Sequence, residues 1–266
     1  MRRRTFLAAS AATLALPAIG QAESQRVLKF IPQSDLAILD PIWTTAYVTR
    51  NHAYMIYDTL YGQTGHEDGF KATPQMLAGH TVENDNKTWK LTLRDSLMFH
   101  NGERVLARDC AASIKRWGAR DAFGQALLAL TDEISAPDDK TIVIRLKQPF
   151  ALLPDAMCHG ASNMCAIMPQ HIAETDPMKA FTEVIGSGPF RFKADERVQG
   201  SLFVYERFDK YKPREDGVSS FTSGPKIVHF DRVEWHVQPE AATKAAAMQA
   251  GEMDWWENRR QTCCRC

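Results

Sequence analysis

Apolar and polar positions repeat with two different periods along this chain. Short apolar runs or strict alternation occur at 27–31, 89–94, 142–146 and 190–193, and they predict strands. Apolar residues at helical spacing occur at 49–60, 110–117 and 239–250, and a shorter helical segment follows Met168. The pattern therefore predicts a chain that mixes strands and helices, without an internal repeat.

The segment from Pro239 carries the strongest helix signals. Proline suits the first turn, and the following alanines have high helix propensity. Ala241, Ala245 and Met248 fall at i, i+4 and i+7, so one face of the helix is predicted to pack on a sheet. Gly251 is well placed as the residue that ends the helix.

The run Gly-Ser-Gly-Pro at 186–189 allows two interpretations. Pro189 disfavours the helical region for Gly188, so the run predicts an extended crossing with exposed backbone amides. Such a crossing suits an inter-lobe connection or the wall of a cleft, which makes Gly188 a candidate ligand contact. The alternative is an ordinary turn that enters the strand at 190–193.

The N-terminus has the features of an export signal. Arg3 and Arg4 precede an apolar run over 8–19, and small residues at Gly20 and Ala22 suit cleavage after residue 22. A membrane anchor or a disordered basic start is the alternative. The paired arginines favour the twin-arginine (Tat) route, so the mature protein is expected to be soluble in the periplasm.

Charge and length limit the class of protein. The 266 residues include 32 basic and 32 acidic side chains, and removal of 1–22 takes away three arginines, which leaves a net charge of −3. This balance has no nucleic-acid footprint. The length allows one large or two small domains.

Half of the six cysteines lie in the last four residues, at Cys263, Cys264 and Cys266. A metal site is one interpretation of this tail, but a single cluster without a second half favours a truncation or shifted reading frame after about residue 258. Cys158 and Cys165 form a disulfide in one interpretation, since the periplasm is oxidising. In the other, both are small buried hydrophobic residues.

The chain lacks the sequence signatures of an enzyme. The run at 160–164 ends in methionine and fails the nucleophile-elbow pattern, and neither zincin spacing nor a phosphate loop is present. The adjacent Asp138 and Asp139 suit a solvated turn. A zinc set can be imagined from widely spaced residues, but it fits no compact knuckle: Cys158, His159, Cys165 and His171. We therefore predict no catalytic activity and no cofactor.

Several segments together resemble one protein family. Gly-Ser-Gly-Pro-Phe at 186–190 is followed by Tyr-Glu-Arg-Phe-Asp-Lys-Tyr at 205–211 and by the alanine-rich helix with Gly-Glu-Met-Asp at 251–254. Shorter matches occur at 35–41, 57–61, 89–103 and 137–150. In this order they are similar to family 5 of the extracellular solute-binding proteins, which serve peptide, dipeptide and nickel ABC transporters.

The resemblance implies the architecture and the partners. It implies a mixed α/β (α+β) fold, the N-terminal lobe of a type 2 periplasmic binding protein, with the second lobe missing. The main lobe would comprise 23–50 and 168–258, a nested subdomain 51–167, and the aberrant tail 259–266. The implied function is capture of a peptide-like or other small solute by a monomer that delivers it to ABC permease subunits. An exported hydrolase or metal-binding protein that shares only local patterns is the alternative.

The resemblance also implies where a solute would bind. In the family the loop after the first strand faces the cleft, and Asp35 and Leu36 occupy that place here, with Asp35 suited to a cationic or amine group. The alternative for Asp35 is a loop or cap carboxylate. The remaining candidates are aromatic wall residues, equally suited to the core, and weaker polar candidates before the return to the main lobe: Trp43, Tyr47, Ser162 and Asn163.

Overall fold

The computed structural model describes residues 25–160 and 163–257, so the predicted signal peptide and the cysteine-rich tail lie outside the described residues. Within these ranges the chain forms both strands and helices, as the mixed pattern predicts. In chain order they are β1 (Val27–Ile31), α1 (Tyr47–Ile56), β2 (Tyr61–Gln63), β3 (Ala72–Pro74), β4 (Leu77–Glu83), β5 (Thr88–Leu93), α2 (Ala107–Gly118), α3 (Ala122–Leu130), β6 (Thr131–Ser135), β7 (Thr141–Leu146), α4 (Leu153–Cys158), α5 (Gln170–Ala173), β8 (Phe190–Phe192), β9 (Leu202–Arg207), β10 (Arg232–His236), α6 (Ala241–Gln249) and β11 (Trp255–Trp256).

A five-stranded sheet forms the base of the molecule. Its strand order is β11-β1-β10-β9-β8. Strand β1 runs parallel to both β10 and β11, whereas β9 is antiparallel to both of its neighbours, β10 and β8. Because side chains alternate across a strand, Phe30 and Trp235, which pair directly, lie on one apolar face. Helix α1 packs on this face through His52, whose ring lies 5.3 Å from that of Phe192 and whose Nδ1 lies 2.9 Å from the Tyr205 hydroxyl.

The second large sheet is antiparallel, with the order β4-β5-β7-β6. In β5 the side chains of Trp89, Leu91 and Leu93 are buried, whereas Thr92 is exposed, which confirms the predicted alternation. Helix α2 packs against β6 and β7, with Trp117 fully buried. The sheet therefore buries one face under a helix, as strands with a half-apolar pattern require.

The two large sheets draw on separate parts of the sequence. The five-stranded sheet uses only strands within 27–31 and 190–256, and the four-stranded sheet only strands within 77–146. This is compatible with the proposed nested subdomain at 51–167. Helix α1 continues through the suggested boundary at 50/51 and packs on the five-stranded sheet, and the domain bounds stay a prediction.

The Gly186–Pro189 segment is not an exposed crossing. Gly186 and Gly188 are buried against the C-terminal end of α1, where added Cβ atoms would lie 2.1 Å and 2.7 Å from the Ile56 carbonyl oxygen. The Gly188 amide donates to that same oxygen at 2.7 Å. The His100 ring lies against the segment, with Nε2 3.0 Å from the Gly188 carbonyl oxygen. The expectation of exposed amides is therefore wrong, because the backbone groups of the segment form hydrogen bonds with the end of α1 and with His100.

The C-terminal helix forms largely as predicted. Gly251 has a φ of +71° directly after the C-cap residue, which confirms its role in ending α6. The buried face differs from the predicted one, because Ala247 is buried whereas Ala241 is exposed. Lys244 reaches the Trp256 ring, with Nζ 6.0 Å from the ring centroid. The helix therefore packs through its second half, next to β11.

The cysteines of the described chain are free thiols. Cys110, Cys158 and Cys165 are all buried and none is bridged to another. The proposed Cys158–Cys165 disulfide is therefore not formed, and the alternative of small buried hydrophobic residues describes both. Burial raises the pKa of the Cys158 thiol to about 12, so at neutral pH this thiol stays protonated and unreactive.

Candidate functional site

The candidate site lies at one edge of the five-stranded sheet. Strands β1, β10 and β11 run in the same direction, so their carboxyl ends meet at this edge, which is where open parallel sheets bind ligands. The loop 32–46 leaves the sheet here, α1 begins here, and Glu257 follows β11. These three segments supply the side chains considered below.

A buried ion pair fixes the loop after β1. The Asp40 carboxylate accepts hydrogen bonds from the Ile42 amide at 2.8 Å and, through its other oxygen, from the Arg116 guanidinium at 2.9 Å. Both side chains of the ion pair are almost completely buried. Arg116 also donates to the Thr175 carbonyl at 2.8 Å and to the Lys179 carbonyl at 3.0 Å. The carboxylate thus ties the loop to α2 and to the segment after α5.

Asn163 fixes the next part of the same loop. Its Nδ2 donates to the Ile42 carbonyl at 2.9 Å, and its own carbonyl accepts from the Trp117 indole at 2.9 Å. The Trp43 ring packs under the Arg120 guanidinium, whose Cζ lies 4.7 Å from the ring centroid. These contacts hold the loop between β1 and α1 in place.

A row of polar groups then crosses from the sheet to α1. The Gln33 amide donates to Glu257 at 3.1 Å, and the Asn51 amide group donates to the other Glu257 oxygen at 2.8 Å. Arg50 donates to Asn51 Oδ1 at 3.1 Å, and its guanidinium lies over the Tyr47 ring at 4.4 Å. We call Gln33, Glu257, Asn51, Arg50 and Tyr47 the polar row.

An apolar groove of about 530 Å³ lies directly beside the polar row. Asn51 and Glu257 line both features, so the groove and the row are continuous. Trp255 and Ile227 are 58% and 57% exposed, a large exposure for apolar side chains and one that favours contact with another molecule. The apolar walls come from α1, the five-stranded sheet and the segment 226–230: Leu28, Phe30, Tyr54, Met55, Ile227, Phe230, Val233, Trp235 and Trp255.

A second buried carboxylate holds the outer wall of this groove. Lys226 donates to Asp58 at 2.7 Å, and the Tyr211 hydroxyl donates to the other Asp58 oxygen at 3.2 Å. Asp58 is fully buried just beyond the end of α1. The segment that carries Ile227 and Phe230 is therefore anchored to the helix that forms the opposite wall.

Three of the sequence candidates lie at this edge, and none of them is fully buried. Tyr47 is 57% exposed and belongs to the polar row. Trp43 is partly buried under Arg120, so one part of its ring remains accessible. Asp35 is partly buried, and its Oδ1 is enclosed without a hydrogen-bond partner within the described residues.

The other candidates have structural contacts instead. Leu36 is fully buried in the core, and the side-chain amide of Asn163 donates hydrogen bonds to carbonyls of the loop. Gly188 is enclosed by the end of α1 and by His100. Packing and local hydrogen bonds therefore involve all three residues, and their contact with a ligand stays a prediction. Ser162 lies outside the described residues.

Most of the polar row and the groove were not predicted from the sequence. Tyr47, Arg50, Asn51 and Tyr54 follow one another at i, i+3, i+4 and i+7, which is a polar and aromatic stripe on one side of α1. That spacing was readable from the sequence. Trp255 and Glu257 were not, because their position depends on β11 pairing with β1.

The described ranges contain no metal-like grouping of three or more His, Cys, Asp or Glu side chains. The imagined zinc set is accordingly not assembled there. Among the same residues, no helix has the length and apolar character that crossing a bilayer requires. What the edge offers is a charged guanidinium, a row of hydrogen-bonding groups and an apolar groove, which is the chemistry of binding.

Comparison with protein-family models identifies the chain. The model for bacterial extracellular solute-binding proteins, family 5 Middle, matches residues 71–262, which is most of the chain. Among curated proteins, the chain is 36% identical over 261 residues to a probable peptide ABC transporter periplasmic-binding protein, y4tO, of Sinorhizobium fredii. This match covers 95% of the chain and 48% of the relative. A probable D,D-dipeptide-binding periplasmic protein of Escherichia coli is 25% identical, with 95% of the chain and 47% of the relative covered.

Solved structures show the same fold. A binding protein from A. tumefaciens R10 in complex with mannopinic acid superposes with a TM-score of 0.71 at 20% identity, over 90% of this chain and 46% of the other. The dipeptide-binding protein from Pseudoalteromonas sp. SM9913 in complex with Met-Leu gives 0.70 at 15% identity, over 89% and 48%. The chain thus spans about half the length of its relatives. It belongs to family 5 of the bacterial extracellular solute-binding proteins.

Proposed function

We propose that this chain provides one half of the solute-binding site of an exported binding protein that serves an ABC importer. Its solute is a peptide or a related small molecule, and the chain itself performs no catalysis. The observation that carries the proposal is the family match together with an apolar groove that continues into a polar row. Capture by such proteins relies on enclosure of the solute and on a few placed polar groups.

The groove forms one wall of the proposed site. Trp255 and Ile227 are largely exposed, and the relatives are about twice as long as this chain. Closure of a second lobe over the groove would bury these side chains and the solute together. The 266-residue chain alone is therefore expected to bind short peptides weakly, because its half of the site stays open to water.

Calorimetry tests this proposal. The chain would be titrated with di- and tripeptides, alone and as a fusion to the matching second half of the Sinorhizobium fredii relative. Weak binding by the chain and binding near −8 kcal/mol by the fusion, which is about micromolar, are expected. Micromolar binding by the chain alone would contradict the half-site proposal, and a folded fusion that binds no peptide would contradict the assigned solute class.

Asp35 is proposed to receive an amine of the solute. Its enclosed Oδ1 has no hydrogen-bond partner within the described residues, and an unpaired carboxylate oxygen favours a cationic donor. Asp35→Ala in the fusion should weaken ligands with a free amine more than N-acetylated ones. Equal weakening of both would remove Asp35 from the amine site.

Export by the Tat route is proposed from the paired arginines at 3 and 4. The receptor reads the arginine pair, so replacement of both by lysine should hold the precursor in the cytoplasm. Cell fractionation followed by immunoblotting measures this, with a maltose-binding protein as a control for general secretion. Unchanged periplasmic delivery of the double variant would exclude the Tat route.

A further inference from the structure

Arg50 supplies the positive charge of the polar row. It lies on α1, and its guanidinium is held on three sides: Nη1 donates to the Gly160 carbonyl at 3.1 Å, Nη2 donates to Asn51 Oδ1 at 3.1 Å, and the Tyr47 ring covers one face at 4.4 Å. All three partners are neutral. The guanidinium is thus fixed in place before any ligand arrives, which lowers the entropic cost of binding.

The positive charge of Arg50 is not neutralised within the described part of the chain. No carboxylate there lies within ion-pair distance of its guanidinium, whereas Arg116, Arg145 and Arg232 each pair with a carboxylate. Glu257 comes nearest in the row, but its two oxygens accept from Gln33 and Asn51 instead. A guanidinium has five N–H donors, and the described contacts use two of them.

Arg50 also lies beside the apolar groove. Asn51, its hydrogen-bond partner, lines the groove together with Tyr54, one turn further along α1. A solute held by Arg50 at one end would therefore have an apolar wall within reach at the other. The groove volume of about 530 Å³ is sufficient for a side chain of any size.

We propose that Arg50 binds a carboxylate of the solute, and that the solute's apolar side chain lies in the groove beside it. The inference rests on the proposed function and narrows the solute class to organic acids with an apolar part, such as peptides with a free C-terminus. A guanidinium suits this role because its planar fork pairs with both oxygens of a carboxylate. Lysine in the same place would supply the charge without the fork.

NMR of the 266-residue chain tests the inference, because it detects millimolar binding. The probes are the dipeptide Met-Leu and its C-terminal amide, which differ only in the carboxylate. The side-chain Nε–Hε signal of Arg50 reports on the carboxylate, and the indole signal of Trp255 reports on the groove. The free acid is expected to shift both signals saturably, whereas the amide shifts only the indole.

Variants give the affinity. Arg50→Gln should weaken the free acid about tenfold or more, as loss of a charge-assisted contact requires, and leave it no tighter than the amide. Arg50→Lys should recover only part of the loss. Arg145→Gln is the matched control: it removes the same charge from an exposed residue on β7 that already pairs with Asp132 and Glu133, and it should leave both affinities unchanged.

The outcomes separate this inference from the proposed function. If neither form of the peptide shifts the indole of Trp255, in the chain alone or in the fusion to the second half of the relative, the proposed function fails and the inference fails with it. If the indole responds but Arg50 does not distinguish acid from amide, the function stands and the carboxylate role is overturned. Equal loss of affinity in Arg50→Gln and Arg145→Gln would show that only the net charge of the chain matters, and it would also overturn the carboxylate role of Arg50.

Discussion

Two arginines at the same edge of the molecule differ in how their charge is treated. Arg116 is almost completely buried, and its guanidinium makes hydrogen bonds to Asp40 and to two backbone carbonyls. Arg50 is held only by neutral groups and keeps its full charge at the surface. The cation that is neutralised within the chain holds the architecture together, and the cation that is left unneutralised is available to a ligand.

The physical reason for the difference is desolvation. A guanidinium removed from water loses its hydration, so it is stable inside a protein only when a carboxylate and further acceptors replace the water. Asp40 and the Thr175 and Lys179 carbonyls do this for Arg116. Arg50 remains partly hydrated and can exchange that water for a ligand carboxylate.

Asp40→Ala should cause the largest loss of stability. It leaves the buried Arg116 charge unpaired and removes the acceptor of the Ile42 amide, so we expect a loss of about 3–5 kcal/mol in the free energy of unfolding. Urea denaturation followed by circular dichroism measures it. The control Asp132→Ala breaks the exposed pair with Arg145 and should cost about 1 kcal/mol or less. Equal losses would show that burial of the first pair has no energetic consequence.

Gly186→Ala tests the packing of the Gly186–Pro189 segment against the end of α1. The added Cβ would lie 2.1 Å from the Ile56 carbonyl oxygen, so α1 or the segment must shift. A loss of about 1–3 kcal/mol is expected, which is typical of overpacking. Gly79→Ala provides the control, because its added Cβ meets nothing within 4 Å. Thermal unfolding of the two variants should differ clearly, and similar melting temperatures would argue against the close contact.

His100 should make stability depend on pH. Burial lowers its pKa from 6.5 to about 4, partly opposed by the hydrogen bond to the Gly188 carbonyl and assisted by a smaller contribution from Arg191. Between these values the unfolded chain binds a proton that the folded chain does not, so stability is complete above about pH 6.5 and falls as the pH drops. His52, whose pKa burial lowers to about 3, acts in the same direction.

The variant His100→Gln isolates this contribution. It keeps a donor near the Gly188 carbonyl but removes the titrating ring. Between about pH 7 and about pH 4.5, its stability should fall by roughly 2–3 kcal/mol less than that of the unchanged chain. Urea denaturation at both pH values gives the double difference. Parallel pH profiles would mean that the His100 ring binds its proton as readily in the folded chain as in the unfolded chain.

The parts of the fold that the sequence predicted are those determined locally. Strand β5 and helix α2 follow from the spacing of Trp89, Leu91 and Trp117, and the end of α6 from Gly251. Helix α3 was missed because its apolar residues crowd around the whole helix and only Leu127 is fully buried. Its N-terminus depends on Asp121, which accepts from the Phe123 amide at 2.9 Å.

The candidate site was less predictable because it is made by pairing over long sequence separations. Glu257 meets Gln33 only because β11 pairs with β1, and Asn163 meets Ile42 across a separation of 121 residues. The family resemblance singled out Tyr47, Asp35 and Leu36, whose ligand contacts stay predictions, and only the packing of the core shows that Leu36 is buried. Which of two neighbouring loop residues is buried depends on tertiary packing and cannot be predicted from the local sequence.

Arg50→Gln should have the smallest effect on stability, and it gives the comparison its sharpest test. The substitution removes two hydrogen bonds to neutral acceptors and one ring contact at a partly exposed position, so a loss of about 1 kcal/mol or less is expected. Urea denaturation beside Asp40→Ala would show one arginine site as structural and the other as dispensable for folding. If Arg50→Gln unfolded the chain as easily as Asp40→Ala, the polar row would be part of the architecture. The distinction between a neutralised and an available cation would then not hold.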